Sequence, residues 1–218
     1  MKILSIFVLS VLLALVSVRA DPGLLINIAA MSKCPDYRDL VFNTLNPALE
    51  MLQITKTNYP EIKTDFIIAQ CDPSQDFPWG WSSMHGQSEL EGDLWHKIVA
   101  SVEQTPLASY RFAQCYLAHQ EDVPSASVDC IKKMFPDDYA KLNQKFNSGP
   151  ISDHLLRFTY AAVQRLGAKW SPTVYFNGNS VCEYNSKNCM LGDNPADWAK
   201  AMCSLWRGEQ PAGCANLQ

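Results

Sequence analysis

The chain has 218 residues, 18 basic against 22 acidic, a formal charge of −4 and eight cysteines. Mild acidity without a basic run argues against nucleic acid or an anionic membrane surface as partner. With 47% hydrophobic residues, this length predicts one domain of generous size or a core fold carrying an insertion.

The first twenty residues read as a signal peptide. Lys2 supplies the positive start, Ile3 to Val16 the apolar stretch, and Val18-Arg19-Ala20 the small residues before a cleavage at Asp21. That run is too short for a membrane span, and no other uncharged segment is long enough. A single domain over residues 21–218 is expected in the secretory pathway, either secreted or in a lysosome-like compartment. Disulfides are the default for cysteines there. No N-x-S/T sequon is present.

Gly23 to Ala30 is a short apolar run that suits a buried strand. Beyond Cys34, Leu40, Val41, Leu45, Leu49 and Leu52 recur at helical spacing, and Pro47 should kink or divide that helix. A second strand is predicted at Thr64 to Gln70, ending at Cys71, so strand, helix and strand form a right-handed parallel unit. Leu90, Leu94, Ile98 and Val102 then fall at four-residue steps. Further helices are expected at Pro106 to His119, Pro124 to Met134, Pro136 to Phe146 and Ser152 to Leu166, the last closed by Gly167. In "SPTVYFNGNSVCEY", Asn177-Gly178 supplies a tight hairpin turn between two strands. Asn194 and Pro195 open a closing helix ending near Gly208. The predicted fold is α/β, thioredoxin-like, with a helical insertion at about 86–168 between a βαβ half and a ββα half.

Two places carry chemistry. Cys34 falls at the N-cap of the first helix with Pro35 after it, where unpaired N–H groups and the macrodipole favour a thiolate, the species that attacks disulfides. Asp36 opposes this. The alternative is a cysteine that is merely buried or bridged. In Ser171-Pro172, the proline before a strand either adopts the cis isomer and shapes a loop facing Cys34, or is a trans proline opening an edge strand.

Together these residues resemble the gamma-interferon-inducible lysosomal thiol reductase family. "CSLWRGEQPAGC", Cys203 to Cys214, is similar to the family's closing cysteine pair, and "WSPTVYFNG" to its proline loop and hairpin. Cys115 and Cys130 lie at about the spacing of a helical-region pair, and "MHGQSELEGD" looks like a degraded Cys-Gln-His-Gly signature, with Met84 and Leu90 where cysteines are expected. The family's Cys-x-x-Cys reads Cys34-Pro35-Asp36-Tyr37 here. The resemblance implies a catalytic nucleophile at Cys34 without its resolving partner, and a substrate groove formed by Ser171, Pro172 and Tyr37. It also implies structural disulfides Cys203 with Cys214 and Cys115 with Cys130. A Cys182 with Cys189 bridge across a hairpin extension would leave Cys34 and Cys71. These two either pair, as a redox couple or a silencing bridge, or leave Cys34 free.

The remaining signals are plainer. His85, His96, His119 and His154 show no metal-ligand spacing, and no phosphate loop or nucleophile elbow is present, so neither metal nor cofactor is expected. Glu89, Glu91 and Asp93 read as a solvated helix face. Phe77, Trp79 and Trp81 either cap a core or line a groove for an unfolded client. The first functional reading is an exported disulfide reductase acting on disulfide-containing polypeptides with a small-molecule or protein thiol as reductant. The second is a thioredoxin-fold binding or retention protein that has lost catalysis.

Overall fold

The computed structural model describes residues 23–55, 58–74, 78–103, 105–184 and 188–217. The predicted signal peptide and Phe77 lie outside them. Strand β1 (Leu25–Ala30) leads into a helical stretch in three pieces: α1 (Pro35–Asp39), a π-helical turn (Leu40–Leu45) and α2 (Asn46–Met51). Pro47 has no N–H to donate, so one carbonyl in the preceding turn loses its partner and the ladder widens just ahead of it. Strand β2 (Glu61–Phe66) returns parallel to β1, pairing Leu25 with Glu61 through Ala30 with Phe66. The sequence placed this strand at Thr64 to Gln70. It begins earlier and stops at Phe66, because Ala69–Gln70 (β3) leaves the main sheet to pair with Trp81–Ser82 (β4).

The helical block comprises α3 (Gln87–Val102), α4 (Pro106–Leu117), α5 (Val123–Met134), α6 (Tyr139–Phe146) and α7 (Gly149–Leu166). Leu90, Leu94 and Ile98 are fully buried, and α3 packs on all four of the other helices. Gly167 ends α7 in the left-handed region, φ 69°. Strands β5 (Thr173–Phe176) and β6 (Asn179–Glu183) follow, turned by Asn177 and Gly178 at φ 48° and 85°. The short β7 (Asn188–Cys189) and α8 (Pro195–Leu205), capped by the Asn194 side chain, complete the sequence of elements. The sheet order is β2-β1-β5-β6-β7, with β1 and β2 parallel and the remaining pairs antiparallel. This is the thioredoxin-like α/β architecture, with the helical block inserted between its two halves.

Three disulfides staple the periphery. Cys115–Cys130 joins α4 to α5, Cys182–Cys189 joins β6 to β7, and Cys203–Cys214 ties α8 to a final 3-10 turn (Ala212–Asn216). That turn packs directly on the chain leaving α2. The Gly213 N–H donates to Leu52 O at 3.0 Å, and a Cβ there would collide with the backbone of Met51 and Leu52.

Trp79 and Trp81 cap the helical block instead of lining a groove. Trp81 is 2% exposed and donates to Asp153 Oδ1 at 3.0 Å, while Trp79 meets Phe146 edge-on. Among the described residues no helix is long and apolar enough to cross a membrane.

Strand β2 is an edge strand, and side chains take two of its outer groups, Thr64 O and Phe66 N–H. Lys97 Nζ donates to Thr64 O (3.1 Å) and Asp65 Oδ1 (2.7 Å). Thr159 Oγ1 accepts the Phe66 N–H (2.7 Å) and donates to Asp65 Oδ1 (3.1 Å). Beside Lys97, His96 is buried among Phe66, Phe112 and Tyr116. Burial, and secondarily the Lys97 charge, push its pKa from 6.5 down to about 3.

Two outcomes are expected. Gly213→Ala should lower the urea midpoint by an amount equivalent to about 1–3 kcal/mol, since the neighbours are backbone and cannot rotate away. His96 contributes stability that is complete above pH 6.5 and lost as pH falls toward about 3, because the unfolded chain takes up a proton that the folded core refuses. The stability difference between wild type and His96→Phe, measured by urea unfolding, should therefore change across that window. A difference independent of pH would contradict the assignment.

Candidate active site

The chain leaving β1 turns sharply into α1. Cys34 is the N-cap, extended at φ −71° and ψ 121°, and its carbonyl accepts the N–H groups of Tyr37 (3.1 Å) and Arg38 (3.3 Å). Its own N–H donates to Met31 O at 3.0 Å. The thiol donates to Ser171 O at 3.4 Å, and Ser171 Oγ accepts the Met31 N–H at 2.9 Å. The Ser171-Pro172 bond is cis. The structure thus brings Cys34, Ser171 and Pro172 together at the ends of the interior strands β1 and β5, with the sulfur turned to the proline-loop carbonyl and making no cap bond to the helix N–H groups. Cys34 is unbridged, but it is only 6% exposed, far less open than the expected reach of a nucleophile.

Tyr37 does not line a groove. Its side chain is completely buried, and its hydroxyl lies 3.4 Å from Thr64 Oγ1. Burial raises its pKa to about 12. The first turn of α1 directs position 37 into the core, so this side chain serves as packing. The exposed apolar residue on the proline loop is Trp170, 48% exposed and adjacent to Ser171.

Cys71 is also a free thiol, half-buried, and no bond joins it to Cys34. Its N–H donates to Gly80 O at 3.1 Å, extending the β3–β4 hairpin. The two parallel strands do end on the same side. Beyond β2, however, the chain is taken up by a separate two-stranded sheet.

The largest departure from expectation is on α3. Glu89 and Asp93 are both fully buried, whereas the sequence reading placed them on a solvated face. Glu89 Oε1 accepts the Lys33 N–H (3.0 Å) and lies 2.9 Å from His85 Nδ1. Its Oε2 accepts from Ser83 Oγ (2.7 Å) and the His85 N–H (3.0 Å). Asp93 Oδ1 accepts the Ser32 N–H at 3.0 Å, and the Ser32 hydroxyl donates to Glu89 O at 3.0 Å. From the other side, Gln120 Nε2 donates to the carbonyls of Ser32 (3.0 Å) and Cys34 (2.8 Å). The loop entering Cys34 is therefore held by side chains of the helical block. Counted from His85-Gly86, the Cys-Gln-His-Gly signature lays its cysteine on Ser83 and not on Met84, which is 75% exposed; Leu90 is core. Acids at i and i+4 gave no local hint of burial, which comes from the Ser32 and Lys33 amides opposite them.

Among the described residues no group of three or more His, Cys, Asp or Glu side chains is placed to hold a metal ion. The arrangement offers thiol chemistry at one sulfur, beside a loop with free surface at Trp170.

In fold the chain is similar to a Pseudomonas syringae protein assigned as a protein-disulfide isomerase, with a TM-score of 0.53 and 15% identity over 83% of this chain and 94% of that one. It is also similar to Wolbachia pipientis α-DsbA1, with a TM-score of 0.50 and 12% identity over 91% of each chain. At such identities the likeness concerns the fold. No curated protein matches the chain. Residues 25–134, half of the chain from β1 through α5, match the family model of the gamma interferon inducible lysosomal thiol reductase. The match stops short of the Cys203–Cys214 segment and instead covers the Cys34 loop, Glu89 and Asp93 together. The chain belongs to the gamma interferon inducible lysosomal thiol reductase family.

Proposed function

We propose that the chain is an exported thiol–disulfide oxidoreductase that works through Cys34 alone. The observation that carries this reading is an unbridged cysteine at a helix N-cap, against the carbonyl that precedes a cis-proline. Family membership supports it, and the three disulfides accord with an oxidising compartment, secreted or lysosome-like.

The reaction balances without a cofactor. The Cys34 thiolate attacks one sulfur of a substrate disulfide, forming a mixed disulfide and releasing the other substrate sulfur as a thiol once it takes a proton. An external thiol then attacks the Cys34 sulfur, freeing the second substrate thiol. A second external thiol regenerates Cys34, so two thiols are oxidised for each disulfide reduced. With Tyr37 buried where a resolving cysteine would stand, the mixed disulfide persists until that external thiol arrives. Approach to a sulfur this buried requires the substrate to displace the Ser171 carbonyl contact, which predicts slow turnover.

The same burial favours a second reading, in which the fold retains or holds client chains without turnover. Alkylation separates them: it should stop reduction and leave purely non-covalent client binding intact.

Cys34→Ser should reduce cleavage of a self-quenched disulfide peptide to the uncatalysed rate, and unchanged turnover would remove the assignment. Without added thiol, mass spectrometry should recover a one-to-one adduct on Cys34 that decays equally slowly in wild type and Cys71→Ser. Faster decay in wild type, with a Cys34–Cys71 bond formed, would make Cys71 the resolving thiol.

A further inference from the structure

We propose that Gln120 is a positioning residue for Cys34, holding the turn that keeps the sulfur against the proline loop, and that the Cys115–Cys130 disulfide holds Gln120 in place. Access to Cys34 then depends on whether that bond is intact.

The turn that delivers Cys34 is served from two sides. Asp93, Glu89 and the Met31 carbonyl take the N–H groups of Ser32, Lys33 and Cys34. Gln120 Nε2 donates to the carbonyls of Ser32 and Cys34, at 3.0 and 2.8 Å. A carboxamide nitrogen carries two hydrogens in one plane, so a single side chain can span two acceptors. The opposite orientation would set its oxygen against both carbonyls, so the contacts themselves decide which atom faces the turn. These carbonyls flank Lys33, and holding both fixes the backbone that enters Cys34. On that fixed backbone the sulfur rests 3.4 Å from Ser171 O, and the residue is 6% exposed.

Gln120 owes its place to the segment that carries it. It opens a 3-10 turn (Gln120–Asp122) between α4 and α5, and it lies between Cys115 and Cys130, which are 15 residues apart. The bridge closes this segment into a ring. Leu117 O, in the same ring, accepts from Arg38 Nε of α1 at 3.2 Å, so the ring is tied to the chain both before and after the sulfur. Opening the ring returns conformational freedom to its residues, which then opposes the hydrogen bonds that keep Gln120 at the turn.

A thiol can reach the bond. Cys115 and Cys130 line a cavity of about 350 Å³, with Cys115 half-buried and Cys130 only 3% exposed. An external thiolate attacks the Cys115 sulfur, and Cys130 leaves as a thiol once it takes a proton. A second external thiol displaces the first, with which it departs as a disulfide, and Cys115 is left as a thiol. Two thiols are oxidised for the one bond reduced. This is the class of reductant that turnover at Cys34 also consumes.

Alkylation of Cys34 by iodoacetamide, read by peptide mass spectrometry, reports access to the sulfur without substrate, and Cys71 in the same digest serves as reference. A buried thiol reacts through its opened fraction. Gln120→Met keeps the length and removes both donors without adding charge. It should speed Cys34 alkylation by about tenfold, the equivalent of one to two hydrogen bonds, and leave Cys71 unchanged. Cys115→Ala combined with Cys130→Ala should speed it to a similar extent. Adding Gln120→Met to that pair should change nothing more, because both act through one clamp. In wild type, pretreatment with graded glutathione, removed before alkylation, should raise the Cys34 rate in step with the Cys115–Cys130 bond lost. An unchanged rate in Gln120→Met, or effects that multiply in the triple variant, would overturn the proposal. Should the cysteine pair fail to fold without its bridge, the glutathione series decides, and a Cys34 rate indifferent to bond loss overturns it equally. The catalytic meaning rests on Cys34 being the nucleophile. Cleavage of a disulfide peptide should rise with alkylation in Gln120→Met; alkylation that responds while cleavage stays at the uncatalysed rate would defeat the activity assigned to Cys34 and leave the clamp standing.

Discussion

The backbone between the end of β1 and the start of α1 belongs to neither ladder, and its buried polar groups must be satisfied by something else. Four side chains from three places distant in sequence do so: Glu89 and Asp93 from α3, Gln120 after α4, and Ser171 before β5. Burying an amide without a partner costs more than most single contacts contribute. The position of Cys34 is thus a property of the assembled molecule and not of its own helix. This explains why α3 lies at the centre of the inserted block while two of its side chains point to the loop before the sulfur.

Helix α3 carries two buried groups whose pKa values are shifted in opposite directions. His96 stays neutral in an aromatic nest and weakens the fold as acid is added. Asp93, at the other end of one helical turn, is easier to keep buried when acid is added. Both lie on α3, so the helix that anchors the Cys34 loop carries both shifts.

Much of the architecture was legible in the chain. Apolar spacing marked α3, prolines or capping residues marked the starts of α4 through α7, Asn177-Gly178 fixed the hairpin, Asn194-Pro195 opened α8, and Pro47 broke the first helix where its missing N–H required. The boundary of β2 was misplaced because Glu61 and Lys63 make its first half look polar, whereas Ala69 and Gln70 look continuous with it but pair elsewhere. The site was less legible. That Tyr37 is packing and that Glu89 and Asp93 are buried depends on partners tens of residues away, and i,i+4 acids on a helix resemble a wet face until a backbone amide is found opposite them. The low exposure of Cys34 likewise comes from the proline loop folding over it, which no local pattern records.

The covered edge of β2 has a consequence for any extended polypeptide drawn to Cys34. An open edge is a template on which a loose chain can zip residue by residue. Here Lys97 and Thr159 already occupy Thr64 O and Phe66 N–H, so that side of the sheet offers a visiting chain no continuous rail. On the proposed reading, a polypeptide substrate would find its contacts at the sulfur and the loop beside it, and not along this edge.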